Sequence, residues 1–158
     1  MLSLNHAYAI IKNDPYVKIL DRFKLDIDGD YMTFSDTINE DIFKIKYTNQ
    51  HAHQIEWIGC PDVFLECSGK FTDATKAREF RIGKTKKVLI SATSMNPDQM
   101  LVYGFNHKEY KKSSDIISYG SCTVNAYVQL TNRLNQLFGV ETSDVNVIHN
   151  IPEYQLHN

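Results

Sequence analysis

The sequence predicts an α/β fold in which a parallel sheet with flanking helices follows an antiparallel β meander. Three observations predict it. Between residues 23 and 48 apolar residues alternate with polar ones at a period of two, broken by a tight polar turn. From Pro61 onward the apolar stretches "DVFLEC", "KKVLISA" and "IISYG" are short and nearly continuous, as expected of parallel strands covered on both faces. Helical patterns follow the first and third of these stretches, which is the order of βαβ construction.

Taken in chain order, Leu4–Ile11 reads as a short helix that stops before "NDP", because Pro15 disfavours helical geometry at Asp14. "FKLDI" sets Phe23, Leu25 and Ile27 on one face, "DGD" turns the chain, and "YMTF" returns. "IFKIKYT" forms a third strand with Phe43, Ile45 and Tyr47 on one face. After strand "DVFLEC" and turn "SGKF", "TDATKAREFRIG" is a helix with Thr72 as its N-cap and Gly83 closing it. "KKVLISA" is the next strand, "LVYGF" a further one inside a loop, and "IISYG" precedes a helix from about Thr123 to Phe138. There Tyr127, Leu130, Leu134, Leu137 and Phe138 recur at helical spacing and Gly139 ends the pattern, while "DVNVIHNI" reads as a last strand.

The 158 residues, 42% hydrophobic and 23% charged, fit one globular domain over 1–158, with helix and meander in 1–54 and the βαβ core in 55–158. A net charge of −2, with Lys and Arg dispersed, argues against nucleic acid or an anionic membrane as partner. The N-terminal stretch lacks a signal-peptide pattern, and no apolar run nears the roughly 20 residues that span a bilayer. Three cysteines, Cys60, Cys67 and Cys122, suit neither a disulfide framework nor a zinc cluster, so a reducing cytoplasm is expected. No metal site is expected either; the "HAH" at 51–53 reads as surface loop.

Cys122 carries the chemical question. It stands between Ser121 and Thr123 where a strand gives way to a helix. Backbone N–H groups at a helix N-terminus favour thiolate over thiol. The residues alone leave a second reading open, that of a small buried hydrophobe. A nucleophilic cysteine needs a base, and His149 in "DVNVIHNI" is the candidate. Cys67, closing an apolar strand, is expected to be buried and inert.

From about residue 55 onward the chain resembles glyceraldehyde-3-phosphate dehydrogenase. "IEWIGCPDVFLECSGKFTDATKA" resembles that family's strand and turn leading to a cofactor-contacting Ser/Thr-Gly, and "GKTKKVLISATS" its next strand. "LVYGFNHKEY" resembles its Gly-Val-Asn segment, and "IISYGSCTVNAY" its catalytic Ser-Cys-Thr-Thr-Asn-Cys signature. The interval from Cys122 to His149 is also the family's. More loosely, "LNHAYAIIKNDPYVKIL" resembles the helix after the family's second sheet strand.

The resemblance implies a partial Rossmann-like, dinucleotide-binding-type sheet and a phosphorylating aldehyde dehydrogenase chemistry. Cys122 would attack the aldehyde of a phosphorylated substrate, with His149 as base. Hydride would pass to NAD, and inorganic phosphate bound by Ser121 and Thr123 would cleave the thioester. Cofactor contacts would fall at Ser68, Gly69, Ala92 and Thr93, at the carboxyl ends of parallel strands.

Departures from the family pattern shape the expectation. There is no G-x-G-x-x-G and no matching acidic residue for the adenosine ribose; Met1 falls about where that first half would just have ended. The family's second domain, with its substrate-phosphate arginine, has no counterpart. Val124 and Ala126 replace a threonine and a second cysteine, and Pro152 stands where a phosphate-holding threonine is expected. The expected function is therefore that of a glyceraldehyde-3-phosphate dehydrogenase-like chain with weak or absent NAD binding and little activity alone. The alternative is a non-catalytic relative acting as a structural or partner-binding module. Either way a homo-oligomer or partner chain is expected, because an open sheet edge invites pairing.

Overall fold

The computed structural model describes residues 2–14 and 22–148. The chain divides into two compact units, Met1–Glu56 and Trp57–Asn158.

The first unit holds helix α1 (Leu4–Lys12) and strands β1 (Phe23–Asp28), β2 (Tyr31–Asp36) and β3 (Ile42–Lys46). Ser3 starts α1 by accepting the His6 N–H, and Asn13 closes it with its amide on the Ala9 carbonyl. Pro15 lies outside the described residues. The three strands form the expected antiparallel meander in the order β1-β2-β3. Gly29, at φ +59°, makes the first turn, where a Cβ would be strained. Leu25 pairs with Phe34 across the ladder, and with Met32 they form a core packed against Leu4, Ala7, Tyr8 and Ile11 of α1. The β3 residues Phe43 and Ile45 do alternate, yet both remain more than half exposed. Burial here rests on β1, β2 and the apolar face of α1.

Asp36 is the electrostatic pin of this unit. Its side chain is 1% exposed, and it accepts hydrogen bonds from Arg22 Nε (3.0 Å) and Nη2 (2.5 Å) and from the N–H groups of Ile38 (2.9 Å) and Asn39 (3.3 Å). The Arg22 hydrogen bond above all, with the two backbone donors, lowers its pKa to about 2 against the upward push of burial. The folded form binds the proton less tightly than the unfolded chain, whose carboxyl titrates near 3.8. Stability from this group is therefore complete above that value and lost as pH falls from about 4 towards about 2. Acid titration followed by amide exchange should show the β1–β2 ladder opening over that window. The step should vanish in Asp36→Asn; an unchanged acid limb in that variant would contradict the assignment.

The second unit contains β4 (Val63–Glu66), α2 (Ala74–Ala77), β5 (Lys87–Ile90), β6 (Gln99–Met100), β7 (Ile116–Ser118) and α3 (Cys122–Phe138). The sheet order is β4-β5-β7-β6 and every pairing is parallel. This is the α/β, partial Rossmann-like architecture expected, in addition to the antiparallel meander of the first unit. Phe80, Val88, Ile90 and Ile116 are fully buried on one sheet face. Phe80 stacks on Phe64 with centroids 4.5 Å apart, and Phe71 meets it edge-on at 4.9 Å. Gly83 has φ +57°, and a Cβ there would lie 2.6 Å from the Gly59 carbonyl oxygen, which accepts the Lys84 N–H. Only glycine permits that approach.

Several local expectations are corrected. β4 is not buried on both faces: Phe64 and Glu66 are buried, but Val63 is 43% and Leu65 61% exposed. The helix cap is Asp73 rather than Thr72, because the Asp73 carboxylate accepts the N–H groups of Thr75 and Lys76. The helix is also short, ending at Ala77 in a 3-10 turn that carries Phe80 into the core. Residues 101–105 form no strand. Asn106 accepts the Val102 N–H and folds this stretch into a turn, leaving only Gln99–Met100 to pair with β7. Residues 144–148 carry no strand, and the rest of "DVNVIHNI" lies outside the described residues. Helix α3 spans the expected residues with Gly139 as its C-cap, yet buries none of them; Leu130 is 61% and Phe138 78% exposed.

Candidate active site

Because β4, β5 and β7 run parallel, their carboxyl ends lie along one edge of the sheet, where loops of such folds meet ligands. The loops after them are tied together. Ser91 N–H donates to the Glu66 carbonyl (2.9 Å) and Tyr119 N–H to the Ile90 carbonyl (3.0 Å). The fully buried Ser118 donates its hydroxyl to the Ala92 carbonyl (2.7 Å) and accepts the Gly120 N–H (3.1 Å). Ser68, Gly69, Ala92, Thr93, Ser121, Cys122 and Thr123 are thus all carried on this edge. His149 lies outside the described residues.

Cys122 is the first residue of the 17-residue α3, and it is exposed. This excludes the reading in which it is a buried hydrophobe. Ser121 caps the helix by accepting the Val124 N–H at 3.1 Å, which leaves its O–H proton available for a second acceptor. Asn125, one turn into α3, donates its amide to the carbonyls of Tyr119 (2.8 Å) and Ser121 (2.9 Å). That residue staples the β7–α3 turn from inside the helix. Its role was not read from the sequence, although an amide one turn past the cap is a usable signal. Cys67 is a correction: it is exposed, as is Cys60, because the strand ends at Glu66 and the chain leaves the sheet.

Glu66 was also missed. It is 3% exposed at the end of β4, and its Oε1 accepts both the N–H (3.0 Å) and the hydroxyl of Ser68. Ser68 Oγ in turn accepts the Lys70 N–H at 3.1 Å. The other oxygen, Oε2, is buried without a hydrogen-bond partner among the described residues. A carboxylate closing an apolar run was the signal. This arrangement sets the Ser68–Gly69 turn, in which Gly69 takes φ +71° with nothing within 4 Å of where a Cβ would stand. The Ser68 hydroxyl proton is committed to Glu66, so Ser68 meets a ligand only as an acceptor or through its backbone. Glu66→Ala strips both Ser68 donors of their acceptor and should cost about 1–3 kcal/mol. Amide exchange at Ser68 and Lys70 should quicken, with the Gly120 amide unaffected; equal loosening of both would count against a local role.

A parallel α/β sheet with an exposed cysteine at the start of a helix on its carboxyl edge defines a Rossmann-like unit bearing a candidate nucleophile. No family model matches the chain. It is 36% identical over 110 residues to cytosolic glyceraldehyde-3-phosphate dehydrogenase of Pisum sativum, covering 69% of this chain and 32% of that protein. It is 33% identical over 105 residues to glyceraldehyde-3-phosphate dehydrogenase of Lactobacillus delbrueckii subsp. bulgaricus, covering 65% and 31%. The Mycobacterium leprae enzyme of the same name is 38% identical over 88 residues. The chain belongs to the glyceraldehyde-3-phosphate dehydrogenase family and spans about a third of the length of these relatives. Among the described residues no helix is long and apolar enough to cross a membrane.

Proposed function

We propose that Cys122 is a nucleophile toward the carbonyl carbon of a phosphorylated aldehyde, with His149 as its base. The observation that carries this reading is the exposed Cys122 side chain on the first residue of α3, at the carboxyl edge of a parallel sheet. In the bond-forming step Cys122 Sγ adds to the carbonyl carbon, the thiol proton passes to the His149 imidazole, and the imidazolium so formed returns that proton to the carbonyl oxygen as the thiohemiacetal forms. The Ser121 O–H and Thr123 hydroxyl are the groups we assign to inorganic phosphate. Cytosolic relatives support a cytoplasmic site of action.

NAD supplies hydride acceptance in the family, and Ser68, Gly69, Ala92 and Thr93 are the residues we assign to contact it. The donor set fits the group only in part. Open space at Gly69 admits a ligand against the backbone. The long helix whose N-terminus meets this edge, α3, already carries Ser121 and Cys122 there, and the sequence has no glycine-rich loop for a pyrophosphate. Turnover by this chain alone is therefore expected to be small. The alternative, a non-catalytic structural or partner-binding module, is favoured by that same gap and by Pro152 in place of a phosphate-holding threonine. We expect the chain to act as a homo-oligomer or with a partner chain.

The reading is tested by limiting alkylation of the full chain at neutral pH with peptide mapping. All three thiols are exposed, so accessibility does not rank them. Activation by the helix N-terminus and His149 should make Cys122 label first, and His149→Ala should slow it about tenfold or more. Labelling of Cys60 or Cys67 ahead of Cys122, or no effect of His149→Ala, would show that the pair is not assembled.

A further inference from the structure

The peptide between Tyr119 and Gly120 is fixed at both ends by side chains. Its N–H donates to the buried Ser118 hydroxyl at 3.1 Å, and its carbonyl accepts from the Asn125 amide at 2.8 Å. Ser118 is anchored in turn on the Ala92 carbonyl. The second hydrogen of the Asn125 amide goes to the Ser121 carbonyl at 2.9 Å, so Nδ2 has no donor left. Gly120, at φ +73°, is where this peptide could turn over, since glycine resists such a rotation least. Asn125 is three residues beyond Cys122 in α3, and so on the same helix face.

We propose that Asn125 is a positioning residue for Cys122, which holds the Tyr119–Gly120 peptide turned into α3 and so keeps the donors at the head of the helix for the sulfur. This rests on the reading of Cys122 as a nucleophile. The first N–H groups of a helix lie outside its own ladder. Ser121 Oγ takes that of Val124, and those of Cys122 and Thr123 are the ones that favour a thiolate here. A Tyr119 carbonyl released from Asn125 lacks its donor, and closing a turn of four residues brings it to the Cys122 N–H. It then competes with the sulfur and sets a partial negative charge beside it, and both effects favour the thiol. Side chains near this turn do not substitute for the backbone donors. Tyr119 brings a phenol and no positive charge. Glu66, Cys67 and Lys70 belong to the end of β4, two strands or about 10 Å from β7, and the Glu66 carboxylate is taken by Ser68. Tyr103 and His107 stack on each other and meet α3 at Gln129, about two turns beyond Cys122. His149 is the base already assigned.

The pH profile of alkylation by iodoacetamide, read thiol by thiol in the full chain, tests this. Asn125→Ala should move the midpoint of the Cys122 profile up by about one pH unit and leave its alkaline plateau within about twofold. Asn125→Asp keeps the shape but cannot donate, so it should move the midpoint at least as far. Asn125→Ser, whose hydroxyl reaches only the Ser121 carbonyl four residues back, should behave like alanine. The Cys60 and Cys67 profiles serve as controls within the same chain and should stay where they are. A role confined to packing would change the plateau through access and leave the midpoint in place. A Cys122 midpoint unmoved in the alanine and aspartate variants, a serine variant that restores it, or an equal displacement at all three thiols would each overturn the proposal. Failure of the nucleophile reading shows separately, as wild-type Cys122 labelling after Cys60 or Cys67.

Discussion

Replacing Phe80 with alanine is expected to destabilise the second unit by about 3–5 kcal/mol, the largest stability change of any substitution considered for this chain. Phe80 is fully buried where α2 gives way to its 3-10 turn. It stacks almost parallel on Phe64, with 6° between the rings, and receives Phe71 edge-on. Truncation removes both ring contacts and opens a cavity beneath the sheet. The neighbours on the strands, Val88 and Ile90, are held by the ladder and cannot collapse into it. Chemical denaturation monitored by near-ultraviolet circular dichroism measures the loss, and Phe80→Leu, which keeps most of the volume, should lose clearly less. A cost below about 1 kcal/mol for Phe80→Ala would mean that this cluster does not anchor the unit.

Titration of the chain with NAD is expected to show no saturation below about 1 mM, that is, a binding free energy weaker than about 4 kcal/mol in magnitude. The pyrophosphate of a dinucleotide relies on a glycine-rich turn and the helix N-terminus behind it. This sequence contains no such turn, and the N-terminus of α3 already carries Ser121 and Cys122. Ser68, which could have offered a hydroxyl proton, gives it to Glu66. Calorimetry would measure the affinity directly. A low-micromolar dissociation constant would show that the four assigned contacts suffice without a pyrophosphate cradle.

Much of the candidate site was legible before any coordinates. Cys122 stood at a strand-to-helix junction, flanked by hydroxyls, and the structure starts α3 on that residue with Ser121 as its cap. The turn "SGKF" after the apolar run was readable too, and the structure places Gly69 there at φ +71°. Glu66 and Asn125 were not read, because their function is to hydrogen-bond groups whose positions depend on the turns they hold. Cys67 was misjudged because the sequence pattern does not say where a strand leaves its sheet.

Local chemistry alone determined the two kinds of sheet, the order of the elements and the ends of α1 and α3. Period-two alternation, helical spacing, and capping by Ser3, Ser121 and Gly139 act over a few residues and need no distant partner. Only the tertiary structure decided which apolar residues are buried. Val63 and Leu65 read like core, as did Leu130 and Phe138, yet all four are exposed, because burial requires a second surface to cover each face. It also brought Asn96 to the start of α2, where its side chain accepts the Ala74 N–H beside the local Asp73 cap, a contact made across more than twenty residues and so invisible to a local pattern.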